Sequence, residues 1–154
     1  MFGIFLGIGI FGLIVWLNIP SEEDLIVAKL RNFTETVSFK SDTAPTERLA
    51  RGAQILTYFT EDAQIDVGMP LRAVHGRSAL VTFFEETSLD AGIDVTFVDA
   101  TVSFDRRLLI ATGRLMVSIK TNEKNYGMQT FDVVLRQIEG NWLLTDLRVV
   151  VPTE

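Results

Sequence analysis

Hydrophobic and polar positions alternate with a period of two along the last third of the chain, residues 92–151. Alternation of this kind, rich in β-branched and aromatic residues, is typical of strands that bury one face. Polar breaks at residues 105–107, 120–125 and 139–141 divide the stretch into four runs. Because such short breaks cannot hold the crossover that parallel strands need, we predict four neighbouring antiparallel strands.

The alternation slips by one residue at Val98 and Asp99, a pattern typical of a β-bulge. Because bulges bend the strand that carries them, we expect a strongly curved sheet. The hollow side of a curved sheet must pack against other elements. Helical segments earlier in the chain are the candidates for that role.

The first helical segment covers residues 21–39 and begins with Ser21 and Asp24 at the spacing of a capping box. Its apolar positions recur at helical spacing and form one face for the core. These positions are Ile26, Leu30, Phe33 and Val37.

A second helix begins at Pro45, since proline suits the first helical position, and we expect Leu49 and Leu56 on its inner side. A short strand at residues 64–67 and a third helix at residues 77–86 follow. Helices followed by a sheet predict an α+β fold. We expect a curved, mixed but mainly antiparallel sheet wrapped around about three helices.

Residues 1–19 carry no charged side chain and are apolar apart from Asn18. A helix of this length spans roughly 28 Å, close to the hydrocarbon thickness of a bilayer, and Trp16 would lie at an interface. No basic residue precedes the run, and no small-residue cleavage site follows it. We therefore predict an uncleaved single-pass membrane anchor over residues 1–20, in contact with lipid through residues 1–19, in preference to a buried helix. The globular domain is then residues 21–154.

Gly3 and Gly7 form a G-x-x-x-G pattern, which lets membrane helices pack closely on a copy or on a partner helix. The orientation of the anchor stays open. Lys29 and Arg31 mildly favour a cytoplasmic domain, because basic residues tend to stay inside. Bacterial anchors without a cytoplasmic tail often leave their domain outside, and we prefer this periplasmic or extracellular placement.

Composition narrows the candidate chemistry. The net charge of −6 argues against a nucleic-acid partner. The chain has no cysteine and one histidine, His75, so a metal site built from cysteine or histidine, or a Ser-His-Asp triad, is a poor hypothesis. We predict neither a metal nor a cofactor.

Residues 58–67 carry an aromatic-rich phrase, Tyr-Phe-Thr-Glu-Asp-Ala, that leads from a helix into a short strand. A loop with Gly76 and a helix follow, and the last strand is introduced by Glu-Gly-Asn-Trp at residues 139–142. This order resembles the nuclear transport factor 2-like superfamily, which includes SnoaL-like proteins and ketosteroid isomerases, over about residues 21–151. The resemblance implies a cone with a pocket between sheet and helices. Members are enzymes, small-molecule binders or assembly modules, so the resemblance alone does not decide function.

The catalytic part of the resemblance is incomplete. The carboxylate base of the isomerases falls at Val67, and Asp66, one residue earlier, belongs on the opposite face of the strand. The tyrosine of their oxyanion hole falls at Phe33, which has no hydroxyl. Only the acid on a long strand is matched, at Asp132.

An enzyme acting on a small hydrophobic substrate, by proton transfer or hydration, would therefore have to use Asp132, Asp66, His75 and Tyr58. Each of these has a structural interpretation that we prefer. His75 suits a loop hydrogen bond, and Tyr58 suits core packing.

For Asp132 the structural interpretation is a cross-strand ion pair. If Ile138 pairs with Trp142 around the last turn, Asp132 lies opposite Arg148. Arg114 and Asp146 are expected to extend the same polar strip.

Our preferred hypothesis is a non-catalytic binding or assembly module, such as an accessory subunit of a membrane protein complex, with a protein partner or a second copy. An exposed apolar patch on the outer face of the sheet would mark the interface. We expect Phe131, Val133 and Leu135 to form that patch. A small hydrophobic ligand in the cone is the alternative occupant.

Overall fold

The computed structural model describes residues 20–68, 73–86 and 92–151. The helices are α1 (Glu22–Val37), α2 (Pro45–Leu56) and α3 (Arg77–Glu86), and the strands are β1 (Phe59–Asp66), β2 (Val74–His75), β3 (Asp94–Asp105), β4 (Ile110–Lys120), β5 (Asn125–Ile138) and β6 (Asn141–Val149). The strands form one sheet in the order β2-β1-β6-β5-β4-β3. Only β1 and β6 pair parallel within it. The predicted α+β architecture, with a mixed and mainly antiparallel sheet, is confirmed.

The predicted anchor, with Gly3, Gly7 and Trp16, lies outside the described residues. Within residues 20–68, 73–86 and 92–151, no helix is both long enough and apolar enough to span a bilayer.

Helix α1 begins as its capping box predicts. The Ser21 hydroxyl accepts a hydrogen bond from the Asp24 amide at 3.1 Å, and the Asp24 carboxylate accepts one from the Ser21 amide at 3.1 Å. Hydrogen bonds from Ser21 hold the pKa of Asp24 below its ordinary value, because they stabilise the charged carboxylate. Ile26 and Leu30 are fully buried beneath the sheet, so the predicted apolar face is confirmed.

One bulge and one glycine bend the sheet around α1. The register of β3 against β4 shifts between Phe97 and Asp99, which confirms the predicted bulge. A Cβ added at Gly113 would lie 2.1 Å from the carbonyl oxygen of Thr101 on β3. Glycine at this position therefore lets β3 fold closely over the inward face of β4.

The segment between α2 and β1 differs from the prediction. Strand β1 begins at Phe59 instead of residue 64, because pairing with β6 starts there and the Leu144 amide donates to the Tyr58 carbonyl at 2.7 Å. In helix α2 the predicted Leu56 packs against the core, but the predicted Leu49 is 68% exposed and Ile55 is buried instead, so the inner side is confirmed only at Leu56.

Phe131, Val133 and Leu135 do not form an outer patch, and that prediction is wrong. Their exposed fractions are 7%, 1% and 0%. Their positions on β5 pair with Leu115, Gly113 and Ala111 of β4. The alternation of side chains along β5 turns all three toward the helices. The outer face of β5 therefore carries the intervening residues instead.

We expect Gly113→Ala to destabilise the chain by about 1–3 kcal/mol, because the added methyl group meets the backbone of β3. The free energy of unfolding in urea, followed by tryptophan fluorescence, measures this. The matched control is Gly52→Ala in α2, where nothing lies within 4 Å of the added Cβ. That substitution should stabilise the chain by about 0.5–1 kcal/mol through helix propensity. Equal effects at the two glycines would contradict this account of the bend.

Candidate functional site

The four candidate catalytic residues do not meet. Asp66, on β1, and Asp132, on β5, project from the outer face of the sheet, and His75 is exposed on the edge strand β2. Tyr58 is 8% exposed and belongs to the core on the helix side. The hypothesis that these side chains surround one pocket is therefore wrong. The reason is the period of the strands, since residues on opposite faces cannot converge.

Asp132 forms an exposed ion pair, as the structural interpretation predicts. Its carboxylate lies 3.2 Å from Nε of Arg114, and the two side chains are 60% and 70% exposed. Arg148 is its neighbour on β6, as predicted, but the guanidinium of Arg148 pairs with Asp146 at 2.6 Å. Asp132 is therefore part of an exposed ion pair on the outer face and lies outside the cone.

Asp66 lies on the outer face of the sheet and Val67 on the inner face, as the sequence predicts. The Asp66 carboxylate accepts a hydrogen bond from the Gly68 amide at 3.0 Å, which closes a turn. Val67, which the sequence resemblance aligns with the base of the isomerases, packs against the core. Phe33, which the sequence resemblance aligns with the tyrosine of the isomerases, packs against the ring of Tyr58 with the ring centroids 5.5 Å apart and the planes tilted by 57°.

Tyr58 is the candidate that remains on the inner side. Its hydroxyl lies 3.2 Å from the Thr36 hydroxyl, which itself donates to the Asn32 carbonyl at 2.8 Å. The Tyr58 hydroxyl is therefore the donor to Thr36. The two hydroxyls lie in an open cleft of about 410 Å³ between α1 and α2, which sequence reasoning did not identify. Its lining is Asn32, Glu35, Thr36, Arg51, Gln54 and Tyr58.

The buried side chains of the described residues are almost entirely apolar. Thr34 and Thr60 are the polar exceptions, and no described Asp, Glu, His, Lys or Arg is buried. Within the described ranges, no cluster of three or more carboxylate or imidazole groups has the geometry to hold a metal ion. Among the described residues, the buried core therefore consists of apolar packing contacts without an acidic or basic side chain.

The polar groups gather instead in a row across the outer face of the sheet. Asp66 of β1, Arg148 of β6, Asp132 of β5 and Arg114 of β4 are successive register partners. We call these four residues the charged ladder. Neighbouring strands lie about 4.8 Å apart, so the ladder is roughly 14 Å long. The sequence predicts Arg148, Asp132 and Arg114 in one strip, but it does not reveal that Asp66 extends it.

Comparison with known proteins supports the fold. Among solved structures, a nuclear transport factor 2-like protein of unknown function from Pseudomonas putida superposes with a TM-score of 0.63 at 14% identity, over 86% of this chain and 87% of that chain. A nuclear transport factor 2-like protein with a cystatin-like fold from Novosphingobium aromaticivorans gives 0.59 at 13% identity, over 79% of each chain. ActVI-ORFA from Streptomyces coelicolor gives 0.58 at 18% identity, over 80% of this chain and 94% of that chain.

No family model matches the sequence, and no curated protein matches it either. At these identities the structural likeness establishes the nuclear transport factor 2-like, cystatin-like α+β fold and no particular activity.

We expect Tyr58→Phe to lower the free energy of unfolding by about 0.5–1.5 kcal/mol, because it removes one hydrogen bond to Thr36. Urea unfolding measures this. The matched control is Tyr126→Phe, at a residue that is 45% exposed, which should leave stability unchanged. Unchanged stability in Tyr58→Phe would show that the hydroxyl is free to serve a ligand, contrary to a structural role.

Proposed function

We propose that this protein is a non-catalytic binding or assembly module, held at a membrane by residues 1–19, that pairs with a second copy through the outer face of its sheet. The observation that carries the proposal is the placement of the charged groups. They lie in a ladder on the outer face, and the interior of the cone holds apolar contacts.

The absence of converging reactive groups supports a non-catalytic role. General acid–base catalysis requires side chains within hydrogen-bond reach of one substrate position. Asp66, Asp132 and His75 point away from the cone, and Tyr58 has its hydroxyl engaged with Thr36. Glu35 and Arg51 line the same cleft as Tyr58, but the Tyr58 hydroxyl hydrogen-bonds to Thr36 and the Arg51 guanidinium to Ser38 and Glu47. The four candidate residues therefore do not converge on one substrate position.

The charged ladder is self-complementary under one kind of two-fold symmetry. An isologous interface between two outer faces has its axis in the plane between them. An axis parallel to the strands, midway between β6 and β5, reverses the order of the ladder in the second copy. Asp66 then faces Arg114, and Arg148 faces Asp132, so all four contacts join unlike charges.

An axis along the ladder gives the opposite result. Each residue would then face its own copy, which places acid against acid and guanidinium against guanidinium. Like charges across an interface are strongly unfavourable. The alternating order therefore selects the axis along the strands.

Apolar side chains on the same outer face of the sheet supply further contact area. Met116, Val134 and Leu143 alternate with inward-facing core residues and are half-buried on the outer side. A mixture of apolar and paired polar groups is typical of interfaces between proteins.

The membrane location rests on the sequence. Residues 1–19 have the length and charge-free composition of a spanning helix. We place the domain on the periplasmic or extracellular side of a bacterial membrane.

The double variant Arg114→Asp with Asp132→Arg tests the pairing. It retains an ion pair between β4 and β5, but under the strand-parallel axis it turns all four intermolecular contacts repulsive. Exposed pairs contribute about 0.2–1 kcal/mol each, so the dimer should weaken by about 2 kcal/mol, roughly a 30-fold rise in Kd. Sedimentation equilibrium of the full chain in detergent measures the association.

The matched control exchanges Glu123 and Lys124 in the exposed β4–β5 turn, which changes neither net charge nor composition. It should associate like the natural chain. The thermal midpoint of each variant shows whether the domain remains folded. A natural chain that stays monomeric, or a ladder variant that associates unchanged, would contradict the proposal.

A further inference from the structure

One end of the sheet lies beside the start of α1. The Trp142 indole donates to the Glu22 carboxylate at 3.1 Å, and the Leu109 carbonyl accepts from the Gln137 amide at 2.9 Å. Gln137 is the register partner of Trp142. The β3–β4 and β5–β6 turns are thus at the same end of the domain as Pro20 and Ser21, where the chain arrives from residues 1–19. We call this the entry end.

The entry end exposes large apolar side chains. Leu108 is 65% exposed, Leu109 44%, Leu25 46% and Ile138 39%. Arg106 and Arg107 directly precede the two leucines in the β3–β4 turn and are also exposed. Neighbouring leucines and arginines on a projecting turn are the side chains that suit a membrane interface, where leucines enter the acyl region and arginines reach the headgroups.

The β3–β4 turn also carries backbone strain. Leu109 has φ 52, in the left-handed region where bulky side chains are uncommon. Glycine or asparagine would adopt this conformation at lower cost. Leu109 is nevertheless 44% exposed, so packing within its own domain offsets only part of this strain, and a contact outside the domain would offset more.

The chain allows almost no separation between the entry end and the bilayer. The capping box begins at Ser21, two residues after the apolar run ends at Ile19. Two extended residues span about 7 Å, which is comparable to the thickness of one headgroup layer. If residues 1–19 span the membrane, the entry end must lie at its surface.

We infer that the β3–β4 turn, through Leu108 and Leu109, is a second membrane contact that inserts into the lipid interface beside the anchor. This inference rests on the proposed anchoring by residues 1–19. The occupant is the lipid surface itself, and the contact fixes the tilt of the domain on the bilayer.

Acidic residues at the entry end determine whether anionic or neutral lipid headgroups favour the contact. Glu22, Glu23 and Asp24 lie in the first turn of α1. They would be repelled by an anionic surface, which offsets the attraction of Arg106 and Arg107. The contact is therefore driven by the leucines, and neutral phosphatidylcholine is the appropriate lipid.

Site-directed spin labelling of the full chain in phosphatidylcholine vesicles tests the contact. The chain has no cysteine, so Leu108→Cys introduces a single labelling site. The control is Met128→Cys near the start of β5, at the opposite end of the sheet, where the natural side chain is 62% exposed compared with 65% for Leu108. The measurement is the collision rate of each label with oxygen, which enters lipid, and with a water-soluble nickel complex. Flotation of the vesicles after an alkaline wash shows whether the chain is anchored.

The expected result is a chain that floats with the vesicles, with a several-fold lower nickel accessibility and a higher oxygen accessibility at position 108 than at position 128. A floating chain whose two labels are equally accessible to nickel would overturn the second contact and leave the anchor standing. A chain that does not float would overturn the anchoring proposal, and the second contact with it.

Discussion

The constraint on which the rest of the structure depends is that the sheet buries one face only, against α1. Strand periodicity then assigns every side chain of β3 to β6 to the core or to the outer surface. Leu115, Val133 and Leu135 are buried for this reason, and Arg114 and Asp132 are forced outward although each lies next to a core residue. The absence of reactive groups from the described interior and the order of the charged ladder are two consequences of the same alternation.

Most helices, strands and turns follow from local sequence patterns that the tertiary packing does not override. The capping box at Ser21, the apolar face of α1 and the turns between β3 and β6 each depend on a few neighbouring residues, and the sequence predicts all of them. The position of Asp132 opposite Arg148 is a different case. Ile138 pairs with Asn141 instead of Trp142, and a register shift between Val134 and Leu135 offsets that error. The predicted pair is correct because two one-residue displacements cancel.

Features that depend on distant partners could not be predicted from local patterns. An alternating strand has the same period whichever face is inward, so the pattern alone did not show that Phe131, Val133 and Leu135 face α1. The early start of β1 depends on pairing with β6, more than eighty residues later. The charged ladder combines four strands and includes the parallel pair, whose register no turn fixes. The cleft beside Tyr58 depends on how α2 lies against α1, which neither helix encodes alone.

The two proposed contacts constrain each other through symmetry. The strands run from the entry end to the opposite end, so a two-fold axis parallel to them leaves both entry ends on the same side of the dimer. Two anchors can then enter one bilayer, and both β3–β4 turns reach its surface. An axis along the ladder would turn one entry end away from the membrane, and it is also the axis that opposes like charges. The electrostatic order of four side chains and the proposed anchoring of both copies in one membrane therefore favour the same proposed dimer, although neither was used to derive the other.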